Sequence, residues 1–217
     1  VTAAAATPRE VWDEMLHGNA RFVAGEPRHP RQDVERRNEL AGGQRPRAAL
    51  FGCSDSRLAA EIIFDEGLGD LFVVRNAGQI ISDSVVGSLE YAVAVLEVPL
   101  IVVLAHDACG AVGAAIESVK VDAPLLPPLI WRQIASIVPA VRRVQRADPT
   151  AADDAIDPEQ VGRVHLRDTV TQLLHASELI SEAVAAGRLA IVGANYRLAE
   201  GTAAPVVIVG DAGDPLP

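Results

Sequence analysis

Five short apolar runs, each free of charge, punctuate the 217-residue chain: Ala48–Phe51, Leu71–Val74, Leu100–Ala105, Leu189–Ala194 and Val206–Val209. They are too short for helices and lack the apolar–polar alternation of a half-wetted strand. They fit strands buried on both faces. Helix-like stretches separate them, near Ala59–Phe64 and over Ser82–Leu96, where Val85, Val86, Leu89, Ala92, Val93 and Leu96 share one side. Strands that alternate with helices pair in parallel through right-handed crossovers. The expected fold is therefore α/β, a mostly parallel central sheet flanked by helices. The loop Ala199–Thr202 is too short for a crossover, so the fifth strand is expected antiparallel at an edge. The expected strand order is 2-1-3-4, with that fifth strand outside.

Residues 1–45 precede the first strand. Thr7-Pro8-Arg9-Glu10 has the form of a capping box with proline at the first helical position, and Gly25 is a natural stop. A short helix over Asp33–Leu40 follows. This N-terminal helical arm is expected to pack on a partner subunit. Beyond the third strand, the pattern predicts a helix from about Cys109 to Val119, and one over Leu129–Arg146 bent at Pro139. An exposed acidic loop, Asp148–Asp157, and a long helix, Pro158–Ala186, come next. The whole of 1–217 reads as a single domain.

Apolar residues make up 49% of the chain and aromatics 4%, so the core must be aliphatic. The net charge of −10 excludes the basic footprint that a nucleic-acid partner needs. No apolar run approaches the ~18 residues of a membrane span. Val1–Ala6 lacks the basic start of a secretory signal, so a cytoplasmic, reducing location is expected.

The chain has only two cysteines. Cys53 follows the first apolar run, His106 ends the third, and Cys109 lies three residues on. Two thiols and an imidazole favour zinc, and three protein ligands leave a fourth position open, as in catalytic sites. Asp55 and Arg57 place a carboxylate and a cation beside that position. A lone cysteine is by default a buried apolar thiol, and a Cys53–Cys109 disulfide is the other alternative, disfavoured in a reducing compartment. In open parallel sheets, ligands bind beyond the carboxyl ends of strands where strand order reverses; strands one and three meet at that place. Gly110-x-x-Gly113 lacks a phosphate-loop lysine and fits close helix packing. His17, His29, His165 and His175 have no ligand-like spacing and are expected in surface or satisfied polar roles. Trp12 and Trp131 are expected as packing anchors.

The stretches Cys53-Ser54-Asp55-Ser56-Arg57 and His106-Asp107-Ala108-Cys109-Gly110 resemble the signature of the β-class carbonic anhydrases. The resemblance extends to Gly18-Asn19-x-Arg21-Phe22, Gly43-Gln44-x-Pro46, Phe72-Val73-Val74-Arg75-Asn76-Ala77-Gly78 and Ser88-Leu89-Glu90-Tyr91-Ala92. It implies a zinc ion on Cys53, His106 and Cys109, and reversible hydration of carbon dioxide to bicarbonate through zinc-bound hydroxide. By the same resemblance Asp55 and Arg57 are the catalytic dyad, and Asp55 becomes a fourth ligand in a closed state. Gln44, Phe72, Tyr91 and the Gly110 amide contact substrate, with Gln44 reaching across a dimer interface. A homodimer or homotetramer follows. Hydrolases of carbonyl sulfide or carbon disulfide share the signature and remain an alternative, as does a non-catalytic zinc- or redox-dependent interaction protein. Two departures stand out. Ala105 replaces the glycine common before the histidine, which adds a methyl at the strand end. Leu50 stands where one regulated subgroup has tryptophan, so that subgroup's second bicarbonate site is not expected, although Arg75 and Tyr196 match other parts of it.

Overall fold

The computed structural model describes residues 6–147 and 156–213. Among these residues, β1 (Ala48–Cys53), β2 (Leu71–Asn76), β3 (Leu100–His106), β4 (Ala190–Arg197) and β5 (Thr202–Val209) form one sheet in the order β2-β1-β3-β4-β5. β1 lies parallel to both β2 and β3, β3 parallel to β4, and β5 antiparallel to β4. This is the architecture expected from the apolar runs. β5 begins earlier than its run, because Thr202 pairs with Arg197 and Ala203 with Tyr196; ladder hydrogen bonds, not hydrophobicity, carry its first residues.

Successive side chains of a strand point to opposite faces, and the central strands feed two cores. Leu50, Leu100, Val102, Leu104 and Val192 enter one, with Trp12, Phe64 and Ile137. Phe51, Ile101, Val103 and Ile191 enter the other, with Leu89, Leu173 and Ile180. All the residues of β1 and β3 are buried, so neither face has room for a charge. The first chemistry-bearing side chains come where these strands end.

The helix α1 (Pro8–Ala24) starts at the expected capping box: Thr7 Oγ1 accepts from the Glu10 amide at 3.2 Å, and Glu10 Oε2 accepts from the Thr7 amide at 2.8 Å. Val11, Trp12 and Met15 are buried, and Trp12 meets Phe64 edge-on at 6.3 Å. A β-carbon on Gly18 would stand 1.8 Å from the Phe64 carbonyl oxygen, so only glycine lets α1 approach this closely. Asn19 then donates to the carbonyls of Ile63 and Gly201 and accepts from the Ala203 amide. The short α2 (Val34–Glu39) buries nothing within the chain.

α3 (Ala60–Ile63), α4 (Asp83–Ala94) and α5 (Gly110–Ser118) follow β1, β2 and β3. Two expected long helices are each divided. The first becomes α6 (Pro128–Ile134) and α7 (Val138–Ala147). Pro139 is the second residue of α7, where a missing N–H costs nothing, so it starts a helix and does not bend one. The second becomes α8 (Pro158–Ala176) and α9 (Glu178–Ala185). Ser177 divides them: its Oγ accepts from the Ile180 amide and donates to Glu90 on α4. Serine in that role is a cap, which hydrophobic periodicity does not register. Trp131, expected as an anchor, is 44% exposed. Most of the acidic stretch lies outside the described residues. Among the described residues, no helix is long and apolar enough to cross a membrane.

Candidate metal centre

The sheet brings three separated side chains to one place. Cys53 is the last residue of β1 and His106 the last of β3. After His106 the chain reverses through Ala108, at φ 49°, and Cys109 becomes the N-cap residue of α5. The two sulfurs and a His106 ring nitrogen lie within 4.8 Å of one another, all on buried residues, and both thiols are free. The group can hold a metal ion.

The histidine is set for that role. Its Nδ1 lies 2.7 Å from the Asp107 carbonyl oxygen, which can only accept, so Nδ1 carries the proton. Nε2 then presents a lone pair, and it is buried without a hydrogen-bond partner. A ring fixed through one nitrogen and bare at the other is how metal-ligating histidines are held. The sulfurs are equally suggestive. The Cys109 thiol hydrogen-bonds Cys53 and lowers its pKa, while Cys109 is raised by the same contact and by burial. A cation held between the two sulfurs would favour both as thiolates.

A loop after β2 supports Cys53. The Asn76 side chain bridges its own loop, accepting from the Ile80 amide and donating to the Ile80 carbonyl, both at 2.7 Å. The loop turns at Gly78, at φ 81°, whose amide donates to Cys53 Sγ at 3.3 Å. A β-carbon there would stand 2.8 Å from the Ala111 β-carbon. Arg75 clamps the β1 end, donating to the carbonyls of Cys53 at 2.9 Å and Asp55 at 2.6 Å. Asp107 ties the other ligand loop to the β4–β5 hairpin by accepting from the Leu198 amide at 3.0 Å.

Asp55 stands beside the cluster, its Oδ2 3.9 Å from His106 Nε2. Arg57 grips it with two side-chain bonds, Nε to Oδ1 at 2.9 Å and Nη2 to Oδ2 at 2.7 Å. That guanidinium holds the Asp55 carboxyl well below the usual carboxylate range.

The family model for carbonic anhydrase matches residues 48–203, which include Cys53, Asp55, Arg57, His106 and Cys109. A carbonic anhydrase 2 of Mycobacterium tuberculosis is 47% identical over 207 residues, 95% of this chain and 97% of that protein. The chain belongs to the β-carbonic anhydrase family. A carbonic anhydrase of Mycolicibacterium smegmatis is 46% identical over the same shares of both chains. Among solved structures, one of the tetrameric β-carbonic anhydrases of the ascomycete Sordaria macrospora matches with a TM-score of 0.69 at 25% identity, over 86% of this chain and 90% of that one. This is a family of enzymes.

Not every residue implied by the β-carbonic anhydrase resemblance stands at this cluster. Gly110 does: it opens α5 next to Cys109, and a β-carbon there would meet nothing within 4 Å. Phe72 and Tyr91 pair with ring centroids 6.1 Å apart. Phe72 lies four residues before Asn76, the β2 partner of Cys53, which is about 13 Å along a strand. Gln44 is exposed and precedes β1, at the opposite end of that strand from Cys53. Ala105 causes no crowding: β3 stays regular through His106, which pairs with Tyr196. Leu50 is buried in the core, and Arg75 is committed to the β1 end.

His165 takes the second of the two roles expected of it, a buried polar one, but its place beside the cluster had no signal in spacing. It is buried, and its Nε2 lies 2.8 Å from the Gly78 carbonyl oxygen, behind Cys53. The partners are 87 residues apart, so no local pattern marks them. Asp107 and Arg75 lie inside the motifs, but their backbone contacts are visible only in three dimensions.

Proposed function

We propose that Cys53, His106 and Cys109 hold one zinc ion per chain, and that the protein interconverts carbon dioxide and bicarbonate with release of a proton. The observation that carries this reading is the bare Nε2 of His106, facing two free buried thiols within 4.8 Å. Two thiolates and an imidazole prefer zinc, and three ligands leave room for a reactant. Bound there, the metal supplies a water acidified toward neutral pH.

The chain's own groups direct the reaction. Asp55 accepts a hydrogen bond from the attacking water and aims its lone pair at carbon. Arg57 keeps Asp55 ionised and turned away from the metal position through their two-pronged contact. Released from Arg57, Asp55, whose Oδ2 lies 3.9 Å from His106 Nε2, would be the fourth ligand that closes the site. The Gly110 amide, at a helix N-terminus, offers a donor to the bicarbonate anion.

Carbon dioxide is apolar and needs an apolar wall with few donors. Phe72, Tyr91 and Gln44 provide such a set but stand off from their own chain's cluster. In this reading they serve the cluster of a second copy, with residues 1–45 contributing to the contact. The working unit is then a homodimer or a homotetramer, acting in the cytoplasm.

Metal analysis of the purified protein and stopped-flow hydration of carbon dioxide test the reading. One zinc per chain and a rate well above that of Cys53→Ser are expected. Equal rates for the two proteins refute it.

A further inference from the structure

The cluster has a support that comes from α8. His165 projects from α8, 3% exposed, and its Nε2 lies 2.8 Å from the Gly78 carbonyl oxygen. A carbonyl only accepts, so Nε2 carries the proton and donates. The amide of the same residue, Gly78, donates to Cys53 Sγ at 3.3 Å. Two hydrogen bonds thus meet on one residue, its carbonyl held by an imidazole and its amide placed on a sulfur of the cluster.

We propose that His165 is a positioning residue of the metal centre: by holding the Gly78 carbonyl, it keeps the Gly78 amide on Cys53 Sγ and tunes the charge that this sulfur gives to a bound metal. The inference rests on Cys53 being a metal ligand.

The physical case has three parts. Gly78 sits at φ 81° in a loop that the Asn76 side chain closes, so its orientation depends on what holds the turn from outside. His165 is one such hold, and its own carbonyl is fixed by Thr169 Oγ1 at 2.9 Å. That amide in turn bears on the sulfur: an N–H donated to a thiolate favours its charged form and draws off part of its negative charge. Finally, burial disfavours the charged ring and keeps His165 a neutral single donor. Its Nδ1 is buried without a partner, a state that apolar packing alone would not select. Outer groups that orient a ligand are worth about 10–100-fold in metal affinity when removed.

The test compares the full-length protein with His165→Leu and His165→Gln. Zinc affinity is measured by competition with a chromophoric chelator, and the cobalt-loaded proteins are compared by their thiolate-to-metal charge-transfer absorption. His165→Leu is expected to bind zinc about 10–100-fold more weakly and to shift the charge-transfer band. His165→Gln, whose amide can still donate to Gly78, is expected to recover most of both. If His165→Leu does not fold, His165→Asn, too short to reach Gly78, carries the same expectation. Wild-type affinity and an unshifted band in the variant that lacks the donor overturn the inference. So does a Gln variant as impaired as Leu. A wild-type protein with no charge-transfer band fails differently: it removes the metal reading itself.

Discussion

Replacing Gly78 by alanine tests how tightly the loop behind Cys53 is specified. Two costs add. The backbone there sits at φ 81°, in the left-handed region, where a β-carbon costs about 1–2 kcal/mol. The new methyl would also stand 2.8 Å from the Ala111 β-carbon and 3.3 Å from Ile137 Cδ1. Overpacking of this kind costs about 1–3 kcal/mol. Against these, alanine restricts the unfolded chain and returns about 0.4–1 kcal/mol. The net loss is about 1–4.5 kcal/mol, or about 2–18 °C in Tm for a domain of this size. The loop can relieve the clash only by moving away from α5, which lengthens the 3.3 Å bond from its amide to Cys53 Sγ. Zinc affinity should therefore fall along with stability. Gly162 is the control. It lies within α8, and a β-carbon there meets nothing within 4 Å. Gly162→Ala should stabilise by about 0.5–1 kcal/mol and leave zinc affinity alone. Calorimetry and chelator competition on both variants decide the matter. A Gly78→Ala protein that melts with the wild type and binds zinc equally well refutes the reasoning.

Asn19→Ala removes the side chain that bonds Ile63, Gly201 and Ala203 together, at 3.1, 2.8 and 2.9 Å. Leaving such buried groups unpaired should cost about 3 kcal/mol, read as a lower urea midpoint with an unchanged slope. Glu66 offers a pH test. Burial pushes its carboxyl from 4.5 up to about 7, against the pull of Arg47, with Asp70 adding to the rise. An acid raised in the folded state stabilises while protonated, so its contribution is full below pH 4.5 and is lost as pH climbs through about 7. Glu66→Gln should flatten that decline in chemical denaturation at a series of pH values. A decline of wild-type steepness in the variant contradicts the assignment.

Much of the fold was legible in local pattern. Leu100–Ala105 is apolar without alternation because β3 is covered on both faces, and the short loop after Ala199 forced β5 to turn back on β4. The divided helices were not legible. Ser177 interrupts an apolar periodicity that continues across it, since its capping bonds to Ile180 and Glu90 leave the pattern intact. Pro139 was visible, but whether proline bends a helix or begins one depends on where the preceding turn of chain is packed.

The candidate site divides along the same line. Cys53, His106 and Cys109 could be picked out from residue type and position, because a strand's end is local and so is the chemistry of thiols and imidazole. Asp55 and Arg57 are neighbours in sequence, and their pairing follows from proximity. Their supports needed the folded chain. His165 reaches Gly78 across 87 residues, and Asp107 reaches Leu198 across 91. Such contacts depend on the path of every intervening crossover. Which strand end faces which loop is a property of sheet order and helix packing, and no spacing along the chain encodes it.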